Sequence, residues 1–257
     1  METKSLGFIG GGRVTRILLQ AFKNKNAHFS KIVVTDPNQD VSANLKKSFP
    51  DIQVDNAFVS ASQDIVFISL HPPVIIDTLE LIKGSFNSKT IVISLAPKIT
   101  IAKISSKLNQ STDIVRLIPN ATSYINEGYN PVCFPPDFAA KEKQQILDLL
   151  SLLGNTFEVP EEKLESYAIM SAMLPTYFWF QWKELAVIGQ KIGLSEKESK
   201  DSINNTLIAS LNLMYKSGLT ARDVMDLIPV KPIGEHESQI TEIYETKLIG
   251  LFEKIKP

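Results

Sequence analysis

Gly7-Phe8-Ile9-Gly10-Gly11-Gly12-Arg13-Val14-Thr15 carries glycine at the first two fixed positions of a G-x-G-x-x-G pattern, with Thr15 at the third. Glycine at Gly10 allows a tight turn. Glycine at Gly12 lets the bare main chain approach a bulky anion. The residues that follow read as a helix, whose free N–H groups and partial positive charge favour phosphate. The chemistry this implies is the grip of a pyrophosphate bridge, with Gly10, Gly11, Gly12, Arg13 and Val14 around it. Thr15 replaces the small third residue, at a position that sets how the helix packs on its strand. Asp36 ends the next β-branched run, near the spacing of about 20 residues expected of an acid that hydrogen-bonds a ribose 2′-hydroxyl. A carboxylate there repels a 2′-phosphate, so this one residue favours NADH over NADPH. Asp36 also reads as the start of an Asp-Pro turn.

Other reactive groups are sparse. His28, His71 and His236 are scattered, with one cysteine, Cys133, so no metal-ligand spacing is present. No Ser-His-Asp set is legible, and Cys133 sits in an apolar, strand-like segment that suits a structural role. A lone cysteine cannot close an internal disulfide, which points to a reducing, cytoplasmic compartment. Lys plus Arg is 27 against 28 for Asp plus Glu, so nothing electrostatic points to nucleic acid or an anionic membrane. The first apolar run is too short and glycine-rich for a leader peptide. The most apolar stretch, Ala168 to Trp182, is broken by Pro175 and Gln181 and is shorter than the roughly 20 residues a spanning helix needs. It reads as a buried core or interface helix.

Positioning these groups requires a scaffold, and 257 residues allow one large domain or two modest ones. Apolar runs at Ser5 to Gly10, Lys31 to Thr35, Asp64 to Leu70, Thr90 to Leu95 and Asp113 to Ile118 each stop at glycine or an X-Pro signal. They are continuous rather than alternating, as in strands buried on both faces of a parallel sheet. Between the first two, Val14, Ile17, Leu18, Ala21 and Phe22 fall on one helical face. Such alternation of strand and helix implies a doubly wound α/β sheet. Past Glu161 no good strand is found. Ile203, Leu207, Ile208, Leu211 and Met214 form one helical stripe, and Ile240, Ile243, Tyr244, Leu248, Leu251, Phe252 and Ile255 another. Gly193 and Gly218 stand where helices should stop. The expectation is residues 1–160 as a dinucleotide domain and 161–257 as an all-helical domain.

Taken together, the motifs resemble the pyrroline-5-carboxylate reductase family across nearly the whole chain. The opening glycines are similar to the family's GFIGxGN. Val66 to Pro72 is similar to its strand ending in valine-lysine-proline, and Ile91 to Ala96 with Ile99-Thr100 to its VVSIAAGVT segment. Arg116, Pro119, Asn120 and Gly128 match its arginine, proline-asparagine and later glycine. Pro175-Thr176-Tyr177 stands at its proline-alanine-tyrosine, and Lys216-Ser217-Gly218 and Asp226 also align. The departures fall in the substrate blocks. SGSGPAY becomes Ser171-Ala172-Met173-Leu174-Pro175-Thr176-Tyr177, and SPGGTT becomes Pro229 to His236. The family's asparagine after the first glycines is Arg13, and its Thr-Pro is Ala121-Thr122. The first half also resembles deazaflavin-dependent NADP oxidoreductases and β-hydroxyacid dehydrogenases. Phe178 stands where the latter carry a catalytic lysine, and Lys183 lies about 140° further round the helix, so it reads as a solvated residue.

The resemblance implies an N-terminal Rossmann domain, a helical C-terminal domain through which a homodimer forms, and NAD(P)H as cofactor. The nicotinamide then lies across the strand ends, adding Leu70, His71, Pro72, Ala96 and Asn120 to the cofactor contacts. Asn120, Thr176, Glu235 and His236 are the substrate candidates; no catalytic residue is assigned. The expected activity is reduction of a C=N or C=O bond of a small metabolite, as in a pyrroline-5-carboxylate reductase forming proline in the cytoplasm. The rival expectation is a catalytically silent dinucleotide sensor or scaffold, with Met173, Leu174 and Pro232 filling the former pocket. A reductase of another imine or keto acid is the third.

Overall fold

The computed structural model describes residues 3–108 and 112–257. Eight strands form one sheet: β1 (Ser5–Ile9), β2 (Lys31–Thr35), β3 (Gln53–Val54), β4 (Ile65–Ile68), β5 (Ile91–Ser94), β6 (Asp113–Leu117), β7 (Gly128–Cys133) and β8 (Gly154–Glu158). Their order is β3-β2-β1-β4-β5-β6-β7-β8. The order reverses between β1 and β4, and this is where an open α/β sheet leaves a crevice for ligand. β1 to β6 pair in parallel.

The helices of this part are α1 (Arg13–Asn24), α2 (Gln39–Ser48), α3 (Ala57–Ala61), α4 (Pro72–Ile82), α5 (Ile101–Ser105), α6 (Ala140–Ser151) and α7 (Leu164–Tyr167). The pleat sends alternate residues to two cores. Phe67, Ile93 and Val115 pack with Leu18 and Phe22 of α1 and Ile146 and Leu150 of α6. Val66, Ile68, Val92 and Ile114 pack with Ile75 and Leu79 of α4 and Ile104 of α5. Both faces are therefore covered, which is why these strands read as unbroken apolar runs. Phe8 and Phe67 stack across β1 and β4 at 4.8 Å between ring centroids.

The far edge departs from the parallel pattern. β7 runs antiparallel to β6, and β8 parallel to β7. β7 contains Gly128, Asn130 and Pro131, residues of poor strand propensity. Side-chain bonds to the preceding loop stabilise it instead: Asn130 accepts the Asn120 N–H at 2.8 Å and the Ser123 hydroxyl at 3.1 Å.

The chain falls into two compact units, Met1–Met173 with Phe252–Pro257, and Leu174–Leu251. The second is helical, from α8 (Leu174–Lys191), α9 (Glu196–Lys216), α10 (Ala221–Asp226) and most of α11 (Glu237–Ile255). Gly193 and Gly218 follow α8 and α9 at φ of 104° and 82°, left-handed positions that end helices as their spacing predicts. Ser195 and Thr220 open α9 and α10 with capping boxes. Among the described residues no helix is long and apolar enough to cross a membrane, and no His, Cys, Asp and Glu cluster fit to hold a metal occurs.

Gly7 lies where β1 meets α3. A Cβ there would stand 1.9 Å from the Ser60 carbonyl oxygen. Gly7→Ala should therefore destabilise the fold by about 3 kcal/mol, the upper range for an overpacked core, read as a lower denaturation midpoint at unchanged slope.

Candidate dinucleotide site

The turn after β1 is held from three sides. Gly10 has φ +105°, and its N–H donates to the Thr35 carbonyl at 2.8 Å. On the other flank the Ser69 N–H donates to the Ile9 carbonyl at 2.8 Å. A Cβ on Gly10 would meet the Ser69 carbonyl oxygen at 2.5 Å, so both backbone angle and space demand glycine. Next, the Gly11 N–H donates to Asp36 Oδ2 at 2.8 Å. Thr15 is fully buried, and its hydroxyl donates to the Gly10 carbonyl at 2.6 Å. The hydroxyl thus locks the turn, a role beyond the packing expected of the third motif position. Threonine itself was the available signal.

Gly12 differs from its neighbours. It is the exposed N-cap of α1, in extended conformation, and a Cβ there would touch nothing within 4 Å. No side chain caps α1, and its first turn holds no acid. Arg13 and Arg16 are exposed beside it. The first N–H groups of α1 are left without a side-chain acceptor, and the helix dipole adds positive potential there. An exposed, cationic, glycine-edged helix start fits a diphosphate.

Asp36 holds two main-chain N–H groups, one of them in the expected Asp-Pro turn. While Oδ2 holds Gly11, Oδ1 accepts the Asn38 N–H at 2.9 Å in the Asp-Pro turn. Asn38 in turn caps α2, accepting the Asp40 N–H at 2.9 Å. A carboxylate oxygen has two lone pairs, so the half-exposed Asp36 keeps capacity for a ribose hydroxyl.

The remaining strand ends are mixed. Leu70 and exposed His71 follow β4, and His71 is the N-cap of α4 without a side-chain capping bond; Pro72 enters the first turn. Ala96 is buried past β5. The buried hydroxyls of Ser69 and Ser94, at the ends of these adjacent strands, have no partner; the sequence reading passed over them. Asn120, expected as a contact residue, is bonded to its own neighbours in the fold. Its Nδ2 donates to the Ser171 carbonyl at 3.0 Å and hydroxyl at 3.1 Å. Its Oδ1 accepts from the Thr122 N–H at 2.9 Å and hydroxyl at 2.8 Å. An amide with all four positions engaged braces the end of β6. The brace runs to the π-helical turn Ala168–Ala172, where Ser171 also donates to the Tyr129 carbonyl at 2.8 Å.

Thr176 lies on α8, and Glu235 and His236 in the turn before α11; all three belong to the second unit. His236 Nε2 faces Glu235 Oε1 at 3.5 Å, both exposed. Lys183 is exposed and Phe178 stacks on Trp182. In the first unit, His28 is exposed and lies outside the glycine turn. Cys133 is buried; burial, reinforced by Glu161, pushes its thiol up to about 11. It stays protonated at neutral pH, as a structural thiol does.

Stability should separate the two kinds of motif position. Thr15→Val removes a buried hydrogen bond and should cost about 1 kcal/mol. Gly12→Ser supplies a helix cap in open space and should hold or raise stability by a few tenths of a kcal/mol. Paired urea titrations read both.

Residues 5–98 match the family described as NADP oxidoreductase, coenzyme F420-dependent. The pyrroline-5-carboxylate reductase of Corynebacterium melassecola is 24% identical over 252 residues, covering 96% of this chain and 93% of that protein. That of Staphylococcus aureus is 23% identical over 251 residues, with 96% and 92% covered. Among solved structures, the Plasmodium falciparum pyrroline carboxylate reductase with NADP bound is similar at TM-score 0.77 and 22% identity, covering 99% of this chain and 96% of that one. The 1-pyrroline-5-carboxylate reductase of Streptococcus pyogenes matches at TM-score 0.75 and 17% identity, covering 98% and 96%. The chain is thus similar to pyrroline-5-carboxylate reductases in sequence along its length, and similar to them in fold.

Proposed function

We propose that this protein is an NAD(P)H-dependent oxidoreductase that reduces a C=N or C=O bond of a small metabolite, with pyrroline-5-carboxylate as leading substrate and proline as product. The observation that carries the reading is the uncapped start of α1 beside bare Gly12, at the switch point of the sheet. The relatives named above support it. When bound, a reduced nicotinamide supplies the hydride. The protein's own part is binding and orientation. The N–H groups at Gly12, Arg13 and Val14 hold the diphosphate. Asp36 takes a ribose hydroxyl and disfavours a 2′-phosphate. Leu70, His71, Pro72 and Ala96 line the wall beyond, and Asn120 braces it. Thr176, Glu235 and His236 are the substrate-side candidates, in a cytoplasmic protein.

A second copy completes this reading. Only Gly189 and Ser199 are fully buried in the helical unit. Trp179, Phe180, Ile192, Ile208, Leu211 and Ile228 stand exposed. Apolar surface on that scale marks an interface, and we assign it to a homodimer through the helical unit. Sedimentation should give twice the chain mass, and Phe180→Asp should shift it toward monomer; a wild-type monomer at micromolar concentration removes the dimer.

Titration with NADH and NADPH, then a panel of cyclic imines and keto acids, tests the activity. Wild type should bind a dinucleotide and oxidise it with an imine. Gly12→Ser should weaken binding tenfold or more while remaining folded, since its hydroxyl occupies N–H groups needed by phosphate. Asp36→Ser should weaken NADH and lower the NADH-to-NADPH preference; an unchanged ratio removes Asp36 from cofactor choice. The rewritten substrate blocks favour the silent sensor as second reading, and binding with no turnover across the panel would select it.

A further inference from the structure

The connection from β5 to α5 passes Ala96, Pro97, Lys98, Ile99 and Thr100 at the carboxyl end of the sheet. Lys98 adopts φ +73°, a left-handed conformation that costs a lysine energy and needs support from its surroundings. The support is one charge cluster, buried at Arg116 and Glu165 and partly exposed at Glu161. Glu165 Oε1 accepts the Lys98 N–H at 2.9 Å and Arg116 Nη2 at 2.5 Å. Glu161 Oε1 accepts the Ile101 N–H at 2.7 Å and Arg116 Nη1 at 3.0 Å. Arg116 and Glu165 are fully buried. One guanidinium and two carboxylates therefore grip the connection at both ends, from β6 on one side and from the segment preceding the π-helical turn on the other. Arg116 Nε and Glu165 Oε2 remain buried without partners. A buried ion cluster with unmet bonds is a poor device for stability alone, because desolvation offsets its attraction.

We infer that Glu165, with Glu161 and through Arg116, is a positioning residue that sets the shape of the β5–α5 connection as the wall for the nicotinamide half of the dinucleotide. The inference rests on the dinucleotide reading. The adenosine half meets the other side of the switch point, at Gly11, Gly12 and Asp36, and none of those residues touches this cluster. The two halves of the ligand are thus served by separate bonding systems. Loosening the connection should misplace the nicotinamide end while leaving the diphosphate grip intact.

The test compares NADH with ADP-ribose, which lacks the nicotinamide, by calorimetry on the full chain and on Glu165→Gln and Glu161→Gln. Glu165→Gln should bind NADH about tenfold more weakly, as expected when roughly one hydrogen bond to the nicotinamide end is lost, and ADP-ribose within twofold of wild type. Retained ADP-ribose binding also shows that the variant is folded. Glu161→Gln, at a more exposed carboxylate, should shift the ratio in the same direction by less, and it decides the matter if Glu165→Gln does not fold. An unchanged NADH-to-ADP-ribose ratio in the folded variants overturns the inference. A wild type that binds neither ligand overturns the dinucleotide reading beneath it.

Discussion

The structure turns on a conflict at one residue. A helix start exposed to water is commonly closed by a side chain, and five helices here are closed that way, at Asn38, Asn56, Thr100, Ser195 and Thr220, whereas α4, α6 and α7 carry no side-chain cap. α1 has none either, and at its head stands Gly12, with room for a side chain and none present. Sterics do not require glycine at this position. The unsatisfied N–H groups are a local liability for folding and an asset for holding an anion.

The neighbours show that the omission is local. Gly10 has no room for a Cβ, and Gly11 is close against Asp36. Thr15 closes the Gly10 carbonyl with its hydroxyl, and Asp36 closes the Gly11 N–H. Every polar group needed to hold the turn is therefore satisfied internally, and the open capacity is confined to the edge that faces outward. The parallel strands β1, β2 and β4 supply the rigidity, because the turn is bonded to strands on both sides. A preformed turn of this kind binds its ligand with little ordering cost.

Much of this was legible in the residues. The continuous apolar runs marked the central strands because those strands are buried on both faces. The glycine spacing marked the turn, and Gly193 and Gly218 marked helix ends. Local signals failed where the structure depends on side-chain partners that no periodic pattern reveals. β7 carries glycine, asparagine and proline and is stabilised by Asn130 reaching Asn120 and Ser123. Asn120 is expected as a ligand contact from its place at a strand end, and sequence gives no sign that Ser171, far along the chain, takes two of its bonds. Arg116 and Glu165 give no periodic or motif signal that pairs them, yet they meet at 2.5 Å in the core. Thr15 was read by size, and its function lies in its hydroxyl.

The most direct measurement is a crystal structure of the chain soaked with NADH. The account predicts the diphosphate within hydrogen-bonding distance of the main-chain N–H groups of Gly12, Arg13 and Val14, with the adenosine ribose against Asp36. A dinucleotide seated elsewhere on the molecule, with the head of α1 free of it, would contradict the account.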